Sequence, residues 1–322
     1  MDWLDKVTFP NEARCKDPEY ARNLYSRMIK RMLRNGTTTV LYFATIHLQA
    51  SQILAQLCDS LGQRGYIGKL NIDQLSPDYY LETTASSLDT TETFIKYCYE
   101  TFRPEDGRTG IVHPVITPRF IPTCSWELLT GLGELARKYD CHVQSHAAET
   151  VDQITLVKSQ YPDLERDIAI FDAVGLMRPN KTVFAHGVHL RDSEVTELVN
   201  QNIGIAACPL SNILYSRGVV PVRRYMDKGL RVGLGTDVAG GPQISMLSAI
   251  RGAVLAERTV DFVEIDRVGE GWPEDGKCAW DVDFTYGYYL ATVLPSHNPV
   301  TLLFRFFVVF PLCFRLSLCG LC

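Results

Sequence analysis

The sequence has no excess of positive charge: 32 Lys and Arg stand against 37 Asp and Glu, for a formal net charge of −5. Without a basic field to hold a phosphate backbone, polyanion binding is excluded as the main role and a small-molecule ligand is favoured. Neither G-x-G-x-x-G nor a Walker pattern occurs, so no glycine-rich phosphate loop is read. The start, Met1-Asp-Trp-Leu-Asp5, has no basic n-region followed by an apolar stretch, and nothing in it directs secretion. Paired cysteine spacing is missing until the tail; Cys58, Cys98, Cys141 and Cys208 each stand alone in apolar segments. That excludes a disulfide framework and points to a reduced, cytoplasmic chain. Seven histidines are present, yet no two are arranged as His-x-His.

What is present is an alternation of strand-like and helix-like segments. Apolar, β-branched runs recur at Thr38–Phe43, Gly65–Leu70, Ile111–Thr117, Cys141–Ser145, Thr182–Ala185, Ile203–Ala207 and Arg231–Leu234. Between them lie amphipathic stretches: residues 21–35 with Gly36 as a helix stop, Glu127–Tyr139 with Ser125 as a candidate N-cap, Asp192–Asn202 and Ser245–Glu257. Repeated strand–helix units make a parallel sheet, open or closed. Candidate polar residues end five different strands, which favours a (β/α)8 TIM-like barrel over an open sheet with one switch point. Residues 1–292 are therefore expected to form the barrel. Residues 293–322 have no helical or strand period and are expected to lie outside the fold; Arg305, Pro311 and Arg315 argue against a membrane span.

Three stretches carry chemistry. On Cys141-His-Val-Gln-Ser-His146, alternation puts His142, Gln144 and His146 on one face, with His146 at the mouth and His142 and Gln144 deeper, satisfying each other or the backbone. Glu149, three residues on, stands close enough to accept a proton from a metal-bound water. His186 ends a second strand and Asp237 a third, ahead of Gly240-Gly241. Singly, these read as a core histidine and an Asp turn. Together, two histidines and a carboxylate are the donor types that a catalytic zinc accepts.

Asn35-Gly-Thr-Thr-Thr39, Tyr42-Phe-Ala-Thr-Ile-His47, Thr117-Pro-Arg-Phe120, Gln144-Ser-His-Ala-Ala-Glu149, Ala185-His-Gly187, Cys208-Pro-Leu-Ser-Asn212 and Gly233-Leu-Gly-Thr-Asp-Val-Ala-Gly-Gly241 resemble the guanine deaminases of the amidohydrolase superfamily. The resemblance spans residues 1 to about 292. It implies zinc bound by His146, His186 and Asp237, with His186 alternatively orienting the attacking water. Glu149 would shuttle protons and Asp237 would help to activate the water, so that Glu149, Asp237 and His186 form the catalytic set. Arg119 would hydrogen-bond the guanine carbonyl and Phe120 would pack on the purine, with His146 and Asp237 also at the substrate. From the residues alone, Arg119 reads as exposed and ion-paired and Phe120 as core.

The implied reaction is hydrolytic deamination of guanine to xanthine and ammonia, in a cytoplasmic homodimer with no nucleic-acid or membrane partner. Family members carry a His-x-His on their first barrel strand and a flanking β-sandwich. The expectation for this sequence is a barrel lacking both, with impaired activity. Two alternatives stay open: hydrolysis of another purine, pyrimidine or triazine, and an inactive form acting through dimerisation or partner binding. His47 is read as a loop residue near the site; His113 and His189 receive no role.

Overall fold

The computed structural model describes residues 3–103, 110–268, 283–292 and 307–309. Among the described residues eight strands precede the tail: β1 (Thr39–Phe43), β2 (Arg64–Gly68), β3 (Leu70–Asn71), β4 (Val112–Pro118), β5 (His142–Ala147), β6 (Thr182–His186), β7 (Gly204–Ala207) and β8 (Arg231–Leu234). All seven expected strands are present within one to two residues at most ends. The sheet runs β8-β7-β6-β5-β4-β2-β1, every pair parallel, with the short β3 also on β4. Parallel neighbours need a crossover, and helices supply it. The α-helices among the described residues are α1 (Phe9–Ala13), α2 (Pro18–Arg34), α3 (Leu48–Leu61), α4 (Thr84–Thr101), α5 (Trp126–Lys138), α6 (Val151–Gln160), α7 (Asp167–Ala173), α8 (Asp192–Asn200), α9 (Pro209–Ser211), α10 (Val222–Asp227), α11 (Met246–Val268) and α12 (Phe284–Thr292).

Local sequence explains the helix ends. Asp17 caps α2 by accepting from the Glu19 N–H at 2.9 Å, Pro18 opens it, and Gly36 just beyond its end takes φ +84°. Ala21, Tyr25, Ile29 and Met32 form its buried stripe. Ser125 caps α5 by accepting from the Leu128 N–H at 3.1 Å, as its position suggested.

The core has two layers, and period 2 in the strands divides them. Val40 and Tyr42 of β1 and Phe184 of β6 face the helices, together with Leu128, Leu129 and Leu132 of α5. Leu41 and Phe43, Val183 and Ala185, with Tyr66, Val115 and Ala206, form a separate inner cluster. An inside distinct from an outside is the signature of a curled parallel sheet, the part-closed barrel of the expected class. On β5, Val143 and Ala147 join the outer layer, so the alternation turns His142, Gln144 and His146 inward as read from sequence.

Three residues of the tail differ from expectation. Phe307–Val309 form a strand, β9, parallel to β1 with Leu41 opposite Val308, and this strand lies beside β8. The remainder of 293–322 lies outside the described residues. Among the described residues no helix is long and apolar enough to cross a membrane.

Gly68 shows how tightly the inside is filled. A Cβ there would sit 1.7 Å from Thr117 Oγ1, 2.5 Å from its Cβ and 2.7 Å from Gln144 Nε2. The Gly68→Ala variant is therefore expected to lose about 1–3 kcal/mol or more of stability in urea unfolding, the cost of overpacking a rigid interior. An unchanged midpoint would show that the inner layer has slack.

Candidate active site

The parallel order places the C-terminal ends of β4, β5, β6 and β8 on one rim, and the singled-out residues stand there. Arg119 and Phe120 follow β4, His146 lies near the end of β5, His186 ends β6 and Asp237 follows β8. In the β5–β6 ladder His146 pairs with Ala185 and Ala147 with His186. The two imidazoles thus lie one step apart and stack, with ring centroids 5.4 Å apart and planes 20° from parallel. Phe43 of β1 closes the other side of His146, 4.4 Å between centroids.

Each histidine is held through Nδ1. That of His146 donates to the Arg119 carbonyl at 2.5 Å, and that of His186 to Asn212 Oδ1 at 2.8 Å. Because an oxygen acceptor requires Nδ1 to carry a proton, Nε2 is the nitrogen that offers a lone pair on either ring when that ring is neutral. This is the arrangement by which outer partners orient metal-binding imidazoles. Burial, reinforced by His186, pushes His146 well below the ordinary imidazole pKa, so it is neutral. For His186 burial also opposes the charged form, but Glu149 and Asp237 outweigh it and the net shift is upward. Glu149 Oε1 lies 3.7 Å from His186 Nε2.

Asp237 is buried. Its Oδ2 accepts from the Ser211 hydroxyl, and its Oδ1 has no hydrogen-bond partner among the described residues. Burial pushes its carboxyl up to about 7, against the pull of His186 and Ser211. His186 and Asp237 both adopt left-handed backbone, φ +73° and +51°, and so does Ala148 beside Glu149, φ +48°. Non-glycine residues there cost about 1–3 kcal/mol each and persist where surroundings dictate them. The Ala148 turn has such surroundings: its N–H donates to Asp167 Oδ2 at 2.9 Å, and its carbonyl accepts from the His189 N–H at 2.9 Å.

Arg119 departs from the reading as an exposed side chain. It is buried, 3% exposed, and paired in two-point fashion with the equally buried Glu12: Nη1 to Oε2 at 2.9 Å and Nη2 to Oε1 at 3.2 Å. Ion pairing, the other half of that reading, is present. The alternative of a core Phe120 also holds in part, since the ring is 8% exposed but borders the site. Gln144 bonds to the Tyr42 carbonyl at 2.7 Å and to Thr117 Oγ1 at 3.0 Å, not to His142. His142 instead meets Tyr66 edge-on at the opposite end of β5, and His113 stacks on the same ring. His47 begins α3 and packs edge-on against Tyr80.

Arg119, Phe120, His146, Glu149, His186 and Asp237 all line one cavity of about 280 Å³. Residues that sequence reasoning passed over line it too: Trp3, Leu4 and Thr8 from the N-terminal turn, and Ser211 and Tyr215 after β7. Ser211 and Asn212 lay inside a quoted motif without a role. Among the described residues no group of three or more His, Cys, Asp or Glu side chains converges closely enough to hold a metal ion.

The amidohydrolase family profile matches residues 1–273. This chain belongs to the amidohydrolase family. Within it, the chain is 43% identical over 264 residues to a probable guanine deaminase of Schizosaccharomyces pombe, covering 82% of this chain and 49% of that protein. It is 39% identical over 272 residues to the guanine deaminase of Homo sapiens, covering 84% and 58%. Its structure superposes on the guanine deaminase of C. acetobutylicum, solved with guanine in the active site, with TM-score 0.80 and 34% identity over 91% of this chain and 65% of that one. This amidohydrolase spans about half the length of the curated relatives it matches.

Asp167, which holds the Ala148 turn, gives a test of the site's frame. Burial lifts its pKa from 3.8 to about 6, partly offset by its bonds from Ala148 and Gln153. A carboxyl whose folded pKa is raised binds its proton more tightly when folded, so its contribution is best below the unfolded pKa and falls as pH rises from about 4 to 6. Asp167→Asn should remove that loss: relative to the parent, the variant gains about 3 kcal/mol between pH 4 and pH 7 in denaturant unfolding. A pH-independent difference would show that the carboxyl is not shifted.

Proposed function

We propose that this chain carries the substrate-binding and proton-transfer residues of a guanine deaminase, which convert guanine and water to xanthine and ammonia. The convergence of Arg119, Phe120, His146, Glu149, His186 and Asp237 on one cavity carries the reading. The similarity to guanine deaminases over more than four-fifths of the chain supports it.

Zinc is the proposed cofactor. Two observations fit it: both imidazoles are anchored through Nδ1, and the buried Asp237 Oδ1 lacks a hydrogen-bond partner among the described residues. The donor chemistry therefore suits zinc, whereas the spacing does not gather three donors among the described residues, and the sequence has no His-x-His to add. Weak binding by His146, His186 and Asp237 follows. When bound, the metal would supply Lewis-acid activation of the attacking water.

The chain's own residues do the rest. Glu149 at the cavity edge carries one proton from the attacking water to the ring nitrogen and then the second, from the hydroxyl so formed on carbon, to the amine, which leaves as ammonia as the C–N bond breaks. Arg119 donates to the purine carbonyl and Phe120 packs against the ring. The Ser211 hydroxyl, by bonding to Oδ2, turns Oδ1 of Asp237 toward its own role beside the water. The reading includes a cytoplasmic homodimer. Among the described residues six buried cysteines, none in a disulfide, support the reducing compartment, and dimerisation rests on the family resemblance.

The purified chain is expected to hold zinc substoichiometrically after dialysis and to release ammonia from guanine slowly. Supplying the His-x-His segment of a relative should raise both. One tightly held zinc per chain, read by elemental analysis, would overturn the three-donor account. In the supplemented protein Glu149→Gln should lower ammonia release at least about 100-fold with zinc content unchanged, the usual scale for a lost general base. Equal loss of zinc would make Glu149 a ligand rather than a proton carrier.

A further inference from the structure

Arg119 lines the cavity, while Glu12, which grips it, does not. Glu12 comes from α1, more than a hundred residues away in sequence, and its own carboxylate is fixed in turn. Tyr80 donates its hydroxyl to Glu12 Oε2 at 2.5 Å, and the Ile46 N–H donates to the same Tyr80 oxygen at 3.3 Å. Phe9, one turn before Glu12, lies beneath the guanidinium, 5.2 Å from ring centroid to Cζ. All four side chains are buried.

We infer that Glu12, seconded by Tyr80, is a positioning residue that makes Arg119 a reader of purine carbonyls. The inference rests on the proposed role of Arg119 and extends it. A guanidinium buried alone would carry a heavy desolvation cost, and the carboxylate is what makes the buried charge tolerable. Two-point pairing also fixes the plane of the fork, which a single contact would not. With two N–H groups committed to Glu12, the remaining donors have a set direction. Arginine has no acceptor, so the edge accepts a carbonyl and disfavours an amine at the same place. The opposite role, in which Glu12 withholds Arg119 from the ligand, predicts the reverse behaviour on mutation.

The test compares guanine with 2-aminopurine, which lacks the carbonyl, on the full chain. Titration follows the fluorescence of 2-aminopurine, with guanine as competitor. The parent chain should prefer guanine and Arg119→Met should erase the preference. Glu12→Gln should weaken guanine about tenfold or more while moving 2-aminopurine less than about twofold, the selectivity of a misdirected charged hydrogen bond. Tighter guanine binding by Glu12→Gln overturns the inference in favour of withholding. Should Glu12→Gln weaken both ligands equally or unfold the chain, Tyr80→Phe decides, because it keeps the ion pair and frees only its anchor. A preference reduced about threefold supports positioning, and an unchanged one overturns it. If the parent shows no preference, the proposed function fails and the inference with it. If Arg119→Met erases the preference but neither Glu12→Gln nor Tyr80→Phe moves it, the inference alone fails.

Discussion

Parallel pairing is the constraint on which everything else in this molecule depends. A parallel strand returns to its starting level only through a crossover, so every strand end with the same polarity lies on one rim. Residues as distant as Arg119, His146, His186 and Asp237 therefore meet without any local sequence linking them. The register adds a finer restriction. Because Ala147 is opposite His186, a one-residue slip of β6 would reverse its inward and outward faces and carry Val183 and Ala185 out of the inner cluster. Site geometry and core packing are thus set by the same ladder.

Buried charge is distributed in two ways across this frame. Lys69 with Glu82, Arg166 with Glu194 and Arg119 with Glu12 are internally matched pairs. Breaking any one of them would leave an uncompensated ion, which is why such pairs tie distant elements together even where their net contribution to stability is small. Asp237 and Asp167 differ: burial lifts them to about 7 and about 6, outweighing the opposing pull of His186 on the one and Arg166 on the other. Carboxyls lifted in this way lower the stability of a chain that has no other use for them. Asp237 opens on the cavity, and Asp167 fixes the left-handed turn before Glu149. Their cost falls at the rim where chemistry needs polar groups, whereas the matched Lys69 and Arg166 pairs serve the scaffold.

How much could be read in advance follows from the range of the interactions involved. Strand positions and the caps at Ser125 and Gly36 were legible because they depend on neighbours within a few residues. The inward set His142, Gln144 and His146 was legible because period 2 is strict. The rim residues emerged from motif resemblance combined with strand ends. Glu12 was not legible, since its importance lies wholly in reaching Arg119 across the fold, and a Glu in a helical turn ordinarily faces water. The burial of Arg119 was missed for the same reason: without Glu12 in view, solvent is the natural partner of a guanidinium. Tertiary pairing of charges leaves no periodic trace.

The tail illustrates the same principle from the opposite side. Its sequence has no period to reveal a strand, yet Phe307–Val309 pair with β1. What recruits those residues belongs to β1. Thr39–Phe43 is buried along its whole length, and on its side away from β2 the backbone N–H and C=O groups require partners. A strand edge of that kind selects for extended, apolar backbone with little regard to sequence detail, because the ladder is made by peptide groups. Side-chain pattern decides which face of a strand is inside, but the unmet hydrogen bonds of a buried edge decide where a strand is needed. An apolar segment without periodicity can meet that second demand while giving no sign of it in its sequence.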